Sequence, residues 1–302
     1  MKILISGSTG FIGSALIPHL TKANNQVIRL VRSGPHKALD IESTISWNPG
    51  IDPPDLAKLE GVDAVIHLAG ESIASGRWSS KRKSSILNSR SKGTQMLSTT
   101  LARLSRPPKV LVSASAVGYY GNRGEEQLTE SSPPGEDFLA TVCREWEKAC
   151  MAALQAGIRV VNLRIGMVLS PSGGALQRLL LPFQLGAGGI LGSGSQYMSW
   201  VALDDLLCIF HHVLLKDSLR GPVNAVSPNP VTNREFTKTL GRVLRRPTLF
   251  PVPAFAIKLA LGEMAEALLL ASQRVEPHRL LESGYSFRFP LLEATLRHQL
   301  GK

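Results

Sequence analysis

The chain has few of the residues that staple or metallate small domains. Its 302 residues include three cysteines, Cys143, Cys150 and Cys208, an odd number without a C-x-x-C pair. A disulfide framework or a cysteine zinc site is therefore not expected, and the three read as reduced core thiols. No run approaches the ~18 uninterrupted apolar residues of a membrane helix. Met1 to Ile5 leads straight into a glycine loop, with no room for a signal peptide. The expectation is a soluble, cytoplasmic protein with no membrane partner. Acidic residues are scarce as well, with 23 Asp plus Glu against 34 Lys plus Arg and a formal charge of +11. That imbalance suits an anionic partner, whether nucleic acid, membrane surface or phosphorylated small molecule. Also missing are G-x-x-x-x-G-K-[ST], H-E-x-x-H and G-x-S-x-G, so nucleotide hydrolysis, zinc proteolysis and serine hydrolysis have no local support. His211 and His212 are neighbours on a predicted helix, point in different directions and cannot share a metal, so no metal is expected. The basic clusters at Arg77, Lys81, Arg82 and Lys83 and at Arg242, Arg245 and Arg246 lack interleaved aromatics. Solvated helix faces explain them, and no nucleic-acid role is expected.

What the chain does have is ordinary globular composition, 43% hydrophobic and 19% charged, and enough length to bury a sizeable core. Short Val- and Ile-rich runs alternate with helix-length segments through the first half, the pattern of a parallel sheet covered by helices. Ile3 to Ser6, Gln26 to Val31, Ala64 to Ala69, Val110 to Ser115 and Arg159 to Leu169 read as strands, the last with a possible break at Gly166. Phe11 to Lys22, Lys81 to Arg103 and Asp137 to Ala156 read as helices. From about residue 171 the rhythm changes to glycine-rich loops, Ser172 to Gly174 and Gly186 to Gly194 among them. Thr232-Asn233-Arg234-Glu235 has the spacing of a capping box opening a helix to about Arg245. Helical stretches from Pro253 toward Ala271 and from Leu291 to Leu300 follow a proline-punctuated linker.

The sharpest feature is a strand that enters Gly7-Ser8-Thr9-Gly10-Phe11-Ile12-Gly13 and a helix that leaves it. Backbone without Cβ lets the turn be tight, a pyrophosphate approach closely and the helix pack on its strand, while amides at the helix N-terminus face the phosphates. Many such sites select NAD with an acid about 20 residues on. Here the second strand ends Arg29-Leu30-Val31-Arg32-Ser33, without an acid. Arg32 is placed to meet a 2′-phosphate, which favours NADP(H); a solvated arginine after a strand is the competing reading. A second wall, Val65 to Glu71, carries the small residues Ala69 and Gly70 at its end, where the nicotinamide half would pass. His67, inside that strand, reads as a packed core residue rather than a ligand or proton carrier.

At these residues the sequence resembles the extended short-chain dehydrogenase/reductases, and within them the atypical "epimerase family protein" branch of sugar-nucleotide-epimerase-like proteins. The likeness covers nearly the whole chain. Beyond the glycine loop it runs through Leu68 to Glu71, Arg77-Trp78, Ser89-Arg90, Ser115 to Gly121, Trp146-Glu147, Arg164 to Leu169, Gly173 to Leu176, Leu181 to Phe183, Gly188 to Gly194, Ser199 to Val201, Asp204-Asp205, Asn224 to Pro228 and the Pro277 to Leu280 region. The resemblance implies an α/β fold, a Rossmann-type doubly wound parallel sheet with a smaller, mostly helical C-terminal domain of unassigned function. It implies a division into residues 1–170, with segments at about 195–227 returning to that domain, and 171–302. It also implies bound NADP(H), with Thr9 to Ile12, Arg32, Leu68, Ala69, Arg90 and Val168 as cofactor neighbours.

The wider superfamily transfers hydride with a Tyr-x-x-x-Lys pair on one helix face, where the ammonium lowers the tyrosine pKa and tyrosine serves as acid or base. No tyrosine in this chain has a lysine four residues on. With Glu147 as the register mark, Leu139 and Cys143 stand where Tyr and Lys would. Ser115 stands where a strand-end serine orients a substrate carbonyl, and Tyr119 or Tyr120 could replace the missing acid, or be packing aromatics. Trp78, Arg164, Ser199 and Trp200 are the substrate-side candidates, although tryptophan is more often core than cofactor stacker. Two functions remain in view. One is an NADP(H)-binding oxidoreductase or epimerase acting on a small carbonyl or nucleotide-linked substrate. The other is a cofactor-sensing or partner-binding protein without catalysis, linked to cell division through relatives in cyanobacteria and plastids. A homodimer on paired long helices is common in the superfamily.

Overall fold

The structure is a computed structural model and describes residues 1–33 and 43–302. In chain order its elements are β1 (Lys2–Ser6), α1 (Phe11–Lys22), β2 (Gln26–Arg32), β3 (Thr44–Trp47), α2 (Leu56–Leu59), β4 (Ala64–His67), α3 (Ser80–Ala102), β5 (Val110–Ala116), β6 (Gln127–Leu128), α4 (Phe138–Lys148), α5 (Met151–Gln155), β7 (Arg159–Ile165), β8 (Met167–Leu169) and α6 (Gly174–Gln184). They continue with β9 (Tyr197–Met198), β10 (Trp200–Ala202), α7 (Leu203–Leu215), β11 (Gly221–Ala225), β12 (Val231–Thr232), α8 (Asn233–Leu244), α9 (Ala254–Leu261), α10 (Glu263–Ala265), β13 (Arg274–Val275), α11 (His278–Glu282) and α12 (Leu292–Leu300).

Seven strands form one sheet in the order β11-β7-β5-β4-β1-β2-β3, and every neighbouring pair in it is parallel. Side chains of a strand alternate between faces, and these strands are apolar on both. Ile3, Ile5, Ile66, Val112 and Leu163 face Leu16 and Leu20 of α1 and Leu206, Ile209 and Phe210 of α7. Leu4, Val65, Leu111 and Val160 face Leu97 and Leu101 of α3 and Ala153 of α5. Each fully buried Leu, Ile or Phe contributes about 1.5–3 kcal/mol of transfer free energy, so the paired faces hold the sheet between two helix layers. The strand order reverses between β1 and β4, and in open α/β sheets that switch point is where ligands bind, beyond the carboxyl ends of the strands.

A third cluster joins β8, α6, β10, α8 and α12 through Leu169, Leu176, Phe183, Trp200, Phe236, Leu240 and Leu296. Asp205, fully buried at the start of α7, accepts from the backbone of Arg288 and Phe289 at 2.9 Å each and from the Tyr285 hydroxyl at 3.1 Å. One carboxylate thus pins the C-terminal segment to the Rossmann layer, at a helix N-terminus where negative charge is favoured.

Several elements differ from the sequence reading. β4 ends at His67, two residues early, because Leu68 and Ala69 turn beneath the glycine loop. The expected helix Asp137 to Ala156 is two, α4 and α5, parted at Ala149 and Cys150. The long strand does break at Gly166, where a Cβ would stand 2.6 Å from the Ser199 carbonyl oxygen; β7 stays in the main sheet and β8 leaves to pair with β10. Within the expected glycine-rich loops lies α6, whose Leu176, Leu180 and Phe183 recur at helical spacing between the flanking glycines. The stretch from Pro253 is interrupted at Gly262, where φ is +63°. The Thr232–Glu235 capping box forms in full. No described helix is long and apolar enough to cross a membrane.

Candidate cofactor cleft

The glycine loop is built on close backbone approaches that side chains would prevent. Gly7 has φ +69°, and a Cβ on it would lie 2.7 Å from the Leu68 carbonyl carbon. A Cβ on Gly13 would lie 2.3 Å from the Gly7 carbonyl oxygen, so the first turn of α1 rests on the loop it leaves. Gly10 donates its N–H to Gly7 at 3.0 Å and caps α1 without any side-chain bond. The first-turn amides therefore stand ready for an anion at the end of β1. Thr9 and Gly10 are exposed, Ile12 is half-buried, and the Phe11 ring lies on Gly173 and Gly174, where a Cβ on Gly173 would come within 2.3 Å of it. Val168, on β8, is buried nearby. Arg32 is the exposed last residue of β2, opposite Trp47 of β3.

Arg90 reaches the cleft but is engaged there. Its Nη1 donates to the carbonyls of Glu71 at 2.9 Å and Ile86 at 3.2 Å. The guanidinium lies against Gly70, where a Cβ would be 3.2 Å from it, and 4.9 Å from the Trp146 ring centroid. It fixes the backbone leaving β4. Segment 71–79, which leads from there toward α3, is tied to two later elements: Arg178 of α6 donates to the Ala74 carbonyl at 2.9 Å, and Arg77 to that of Leu259 in α9 at 3.1 Å. Trp78 sits in this segment, its indole N–H on Ile73 and its ring 5.1 Å from Phe138.

Ser115, at the end of β5, donates to Glu147 Oε1 at 2.7 Å. Arg164 of β7 clamps the same carboxylate from Nε at 2.8 Å and Nη2 at 2.9 Å. Its Nη1 donates to the Tyr120 hydroxyl at 3.0 Å, which donates in turn to Asn224 at 2.7 Å. The guanidinium carbon lies 3.4 Å from the centroid of the Tyr119 ring. Arg164 is only 2% exposed. Burial opposes its charge, and the carboxylate more than offsets this, raising its pKa further above the ordinary arginine value. Burial pushes Tyr120 up to about 12. Arg164 is thus structural in this state, and the Ser115 hydroxyl is turned toward Glu147 rather than toward an open substrate site.

Ser199 and Trp200 do not line the cleft. The Ser199 hydroxyl donates to the Gln273 carbonyl at 2.7 Å and accepts from Val275 N at 2.9 Å. Trp200 is fully buried with its indole N–H on the Asn229 carbonyl at 3.0 Å. Both staple later segments of the chain to the body. Leu139 packs on Gly118, and Cys143 is buried with its thiol 3.7 Å from the Ala116 carbonyl oxygen, its pKa pushed up to about 12. Glu147, Glu130 and Asn224 escaped the sequence reading as functional groups. Glu130 Oε1 takes the backbone N–H groups of Asn224 and Arg279 at 3.0 and 3.3 Å, a contact between segments far apart in sequence that no local motif announces.

His67 is fully buried between the Ser6 hydroxyl at 2.5 Å and the Thr94 hydroxyl at 2.9 Å. Burial holds its pKa down to about 4. Because the folded imidazole resists protonation while the unfolded one titrates near 6.5, stability is full above about pH 6.5. It falls as the pH drops toward 4, by on the order of 3 kcal/mol in all. Urea midpoints of the protein and of His67→Asn between pH 7.5 and 5 test this. The variant should lose a substantial part of the acid slope, and equal slopes would contradict the assignment.

The sequence profile of the NAD dependent epimerase/dehydratase family matches residues 3–225, and that of a domain of unknown function, DUF1731, matches residues 252–299. Epimerase family protein Mb2239 of Mycobacterium bovis is 42% identical over 285 residues, 94% of this chain and 93% of its own. The crystal structure of human epimerase family protein SDR39U1 (isoform 2) with NADPH superposes over 100% of both chains with a TM-score of 0.89 at 32% identity. A nucleoside-diphosphate sugar epimerase from Corynebacterium glutamicum matches 100% of this chain and 58% of its own, with a TM-score of 0.81 at 37% identity. With the glycine loop, the parallel sheet and the helical C-terminal region in place, the chain belongs to the NAD dependent epimerase/dehydratase family, in the branch of epimerase family proteins that carry DUF1731.

Proposed function

We propose that the protein binds NADP(H) and acts as an oxidoreductase or epimerase on a small carbonyl or nucleotide-sugar substrate, without the Tyr-x-x-x-Lys pair. The observation that carries this is the glycine loop at the β1–β4 switch point, which leaves the N-terminus of α1 without a side-chain cap, with the cation Arg32 in place of an acid at the β2 end. Human SDR39U1, of the same fold and crystallised with NADPH, supports the cofactor. Bound there, NADPH would supply a hydride. Thr9 to Gly13 and the first-turn amides would hold the pyrophosphate, Arg32 the 2′-phosphate, and Leu68 to Gly70 would pass the nicotinamide half. Segment 71–79, tied to α6 and α9, would stand over that end. The Tyr119 hydroxyl is the remaining candidate to give or take a proton, on a ring whose face is covered by Arg164.

A second reading, a cofactor-sensing protein without turnover, draws on Leu139 and Cys143, which close the dyad positions with packed apolar groups, and on the engagement of Ser115 by Glu147. A calorimetric titration with NADPH and NADH, followed by a carbonyl and nucleotide-sugar panel, separates the two. Under the catalytic reading turnover appears, and Tyr119→Phe lowers kcat by about 100-fold, the usual contribution of a general acid, with NADPH affinity unchanged. Tight binding with no turnover across the panel would favour the sensor. Binding of neither nucleotide would sink both.

A further inference from the structure

Arg32 is not the only cation toward the carboxyl end of β2. Arg29 lies on β2, level with Ile5 of β1, and its Nε donates to the hydroxyl of Ser8 inside the loop at 3.3 Å. Ser8 is 1% exposed and Arg29 is half-buried. Taking a guanidinium partly out of water costs free energy unless an anion or several acceptors compensate. Among the described residues Arg29 has one neutral hydroxyl and no carboxylate. The rest of its fork is left for something else.

The strand places this fork with some care. Ile28 and Leu30 point into the core under α3, while Val27 and therefore Arg29 face the side of α1. Arg32, three residues on, leaves the end of β2 on the opposite face. The two side chains thus leave β2 on opposite faces, Arg29 with its head at the glycine loop. In a Rossmann cleft the end of this strand is where the adenosine 2′ position lies. A phosphate monoester there carries close to two charges and more acceptors than one guanidinium fork can use.

We propose that Arg29, tethered to Ser8, is a second cation of the 2′-phosphate subsite and sets the preference for NADPH over NADH together with Arg32. This rests on the NADP(H) reading above. Ser8 acts here as a positioning residue: its hydroxyl holds the Arg29 head at the loop so that little ordering remains when the phosphate arrives.

The test uses the whole chain and three probes: NADPH, NADH and adenosine 2′,5′-bisphosphate, which carries the 2′-phosphate without nicotinamide. Affinities are measured by calorimetry for the protein, Arg29→Met, Arg32→Ala and Arg29→Lys. Arg29→Met keeps the aliphatic packing of the stem, and far-ultraviolet circular dichroism with a thermal scan verifies folding. The expected result is a loss of about tenfold or more in Arg29→Met for NADPH and for adenosine 2′,5′-bisphosphate, as for one charge-assisted contact. NADH should change by less than about twofold, and Arg29→Lys should recover part of the loss. An equal loss for NADPH and NADH would show that Arg29 only shapes the loop, and an unchanged NADPH affinity would show that it does nothing for the cofactor; either overturns the proposal. If Arg29→Met misfolds, Arg29→Lys alone decides it: a charge kept without the fork must weaken NADPH selectively. Should the unaltered protein bind neither dinucleotide, or NADH as tightly as NADPH, the NADP(H) reading itself fails; a preference that survives in Arg29→Met sinks only the role of Arg29.

Discussion

Arg164→Met is expected to lower the free energy of unfolding by about 3–5 kcal/mol. The substitution removes both bonds of the guanidinium to Glu147 and leaves that carboxylate with the Ser115 hydroxyl alone. Only 13% of the Glu147 side chain is exposed, so water replaces the lost bonds only in part. The Tyr119 ring loses its cation and the Tyr120 hydroxyl loses a donor, although Tyr120 keeps Asn224. Domains are stable by only about 5–15 kcal/mol, so urea unfolding at pH 7 would move far outside experimental error. The mechanism is specific enough to be tested by its cure. Arg164→Met combined with Glu147→Leu removes both charges and should recover most of the loss, because apolar replacement of a buried pair is often neutral or better. A single substitution costing less than about 1 kcal/mol, or a double no better than the single, would mean that the pair is solvated in solution.

Gly13→Ala should both destabilise the protein, by about 1–3 kcal/mol as overpacking does, and weaken NADPH binding. The added methyl would meet the Gly7 carbonyl oxygen at 2.3 Å and the Ser8 Cα at 2.9 Å, backbone atoms with no rotamer to escape into. Either α1 lifts off the loop or the loop moves into the space for the pyrophosphate. Gly10→Ala is the internal control. Its methyl would meet only the Gly7 oxygen, at 3.3 Å, and the loop can yield by a few tenths of an ångström. The expected order of damage, in thermal midpoint and in NADPH affinity, is Gly13→Ala well ahead of Gly10→Ala. An inverted order would show that the strand–helix approach is looser than the structure has it.

The parts of this molecule written in local patterns could be read from the sequence. Helix α1 spans Phe11–Lys22 as expected, because glycines fix its start and apolar residues recur on one face. The break at Gly166 and the capping box at Thr232 are likewise set by a few neighbouring residues. β3 and β11, like the short strands β6, β9, β10, β12 and β13 outside the main sheet, carry no such pattern. The first has four residues, and the second opens with Gly221-Pro222 at a sheet edge, where neither propensity nor length signals a strand. Among site residues, the glycines carry their geometry with them, since each is needed for space at its own position. Arg164 and Ser115 do not. Their partner Glu147 lies on another element, and a sequence cannot show that two polar groups which look available to substrate have already been taken by a third. Trp200 was ambiguous for the same reason: whether an indole stacks on a cofactor or fills a core depends on α8 and α12, which arrive later in the chain.

The position of β11 also bears on how the protein is made. The sheet is closed on that side by a strand that follows β7 only after the chain has passed through β8, α6, the second glycine-rich loop, β10 and α7. Closing so long a loop costs little at equilibrium, since each doubling of length adds only about 0.6 kcal/mol, but such distant pairings form slowly. At about 5–20 residues per second, a ribosome needs on the order of seconds to bring Gly221 out after Ile165. During that interval β7, with Val161 and Leu163, is an open edge with apolar side chains, the kind of surface on which nascent chains pair with each other. The cofactor loop emerges well before β11, yet the sheet that supports it is completed only once the excursion has been translated. The hazard in folding therefore lies at the β7 side of the sheet, three strands away from the β1 that carries the glycine loop.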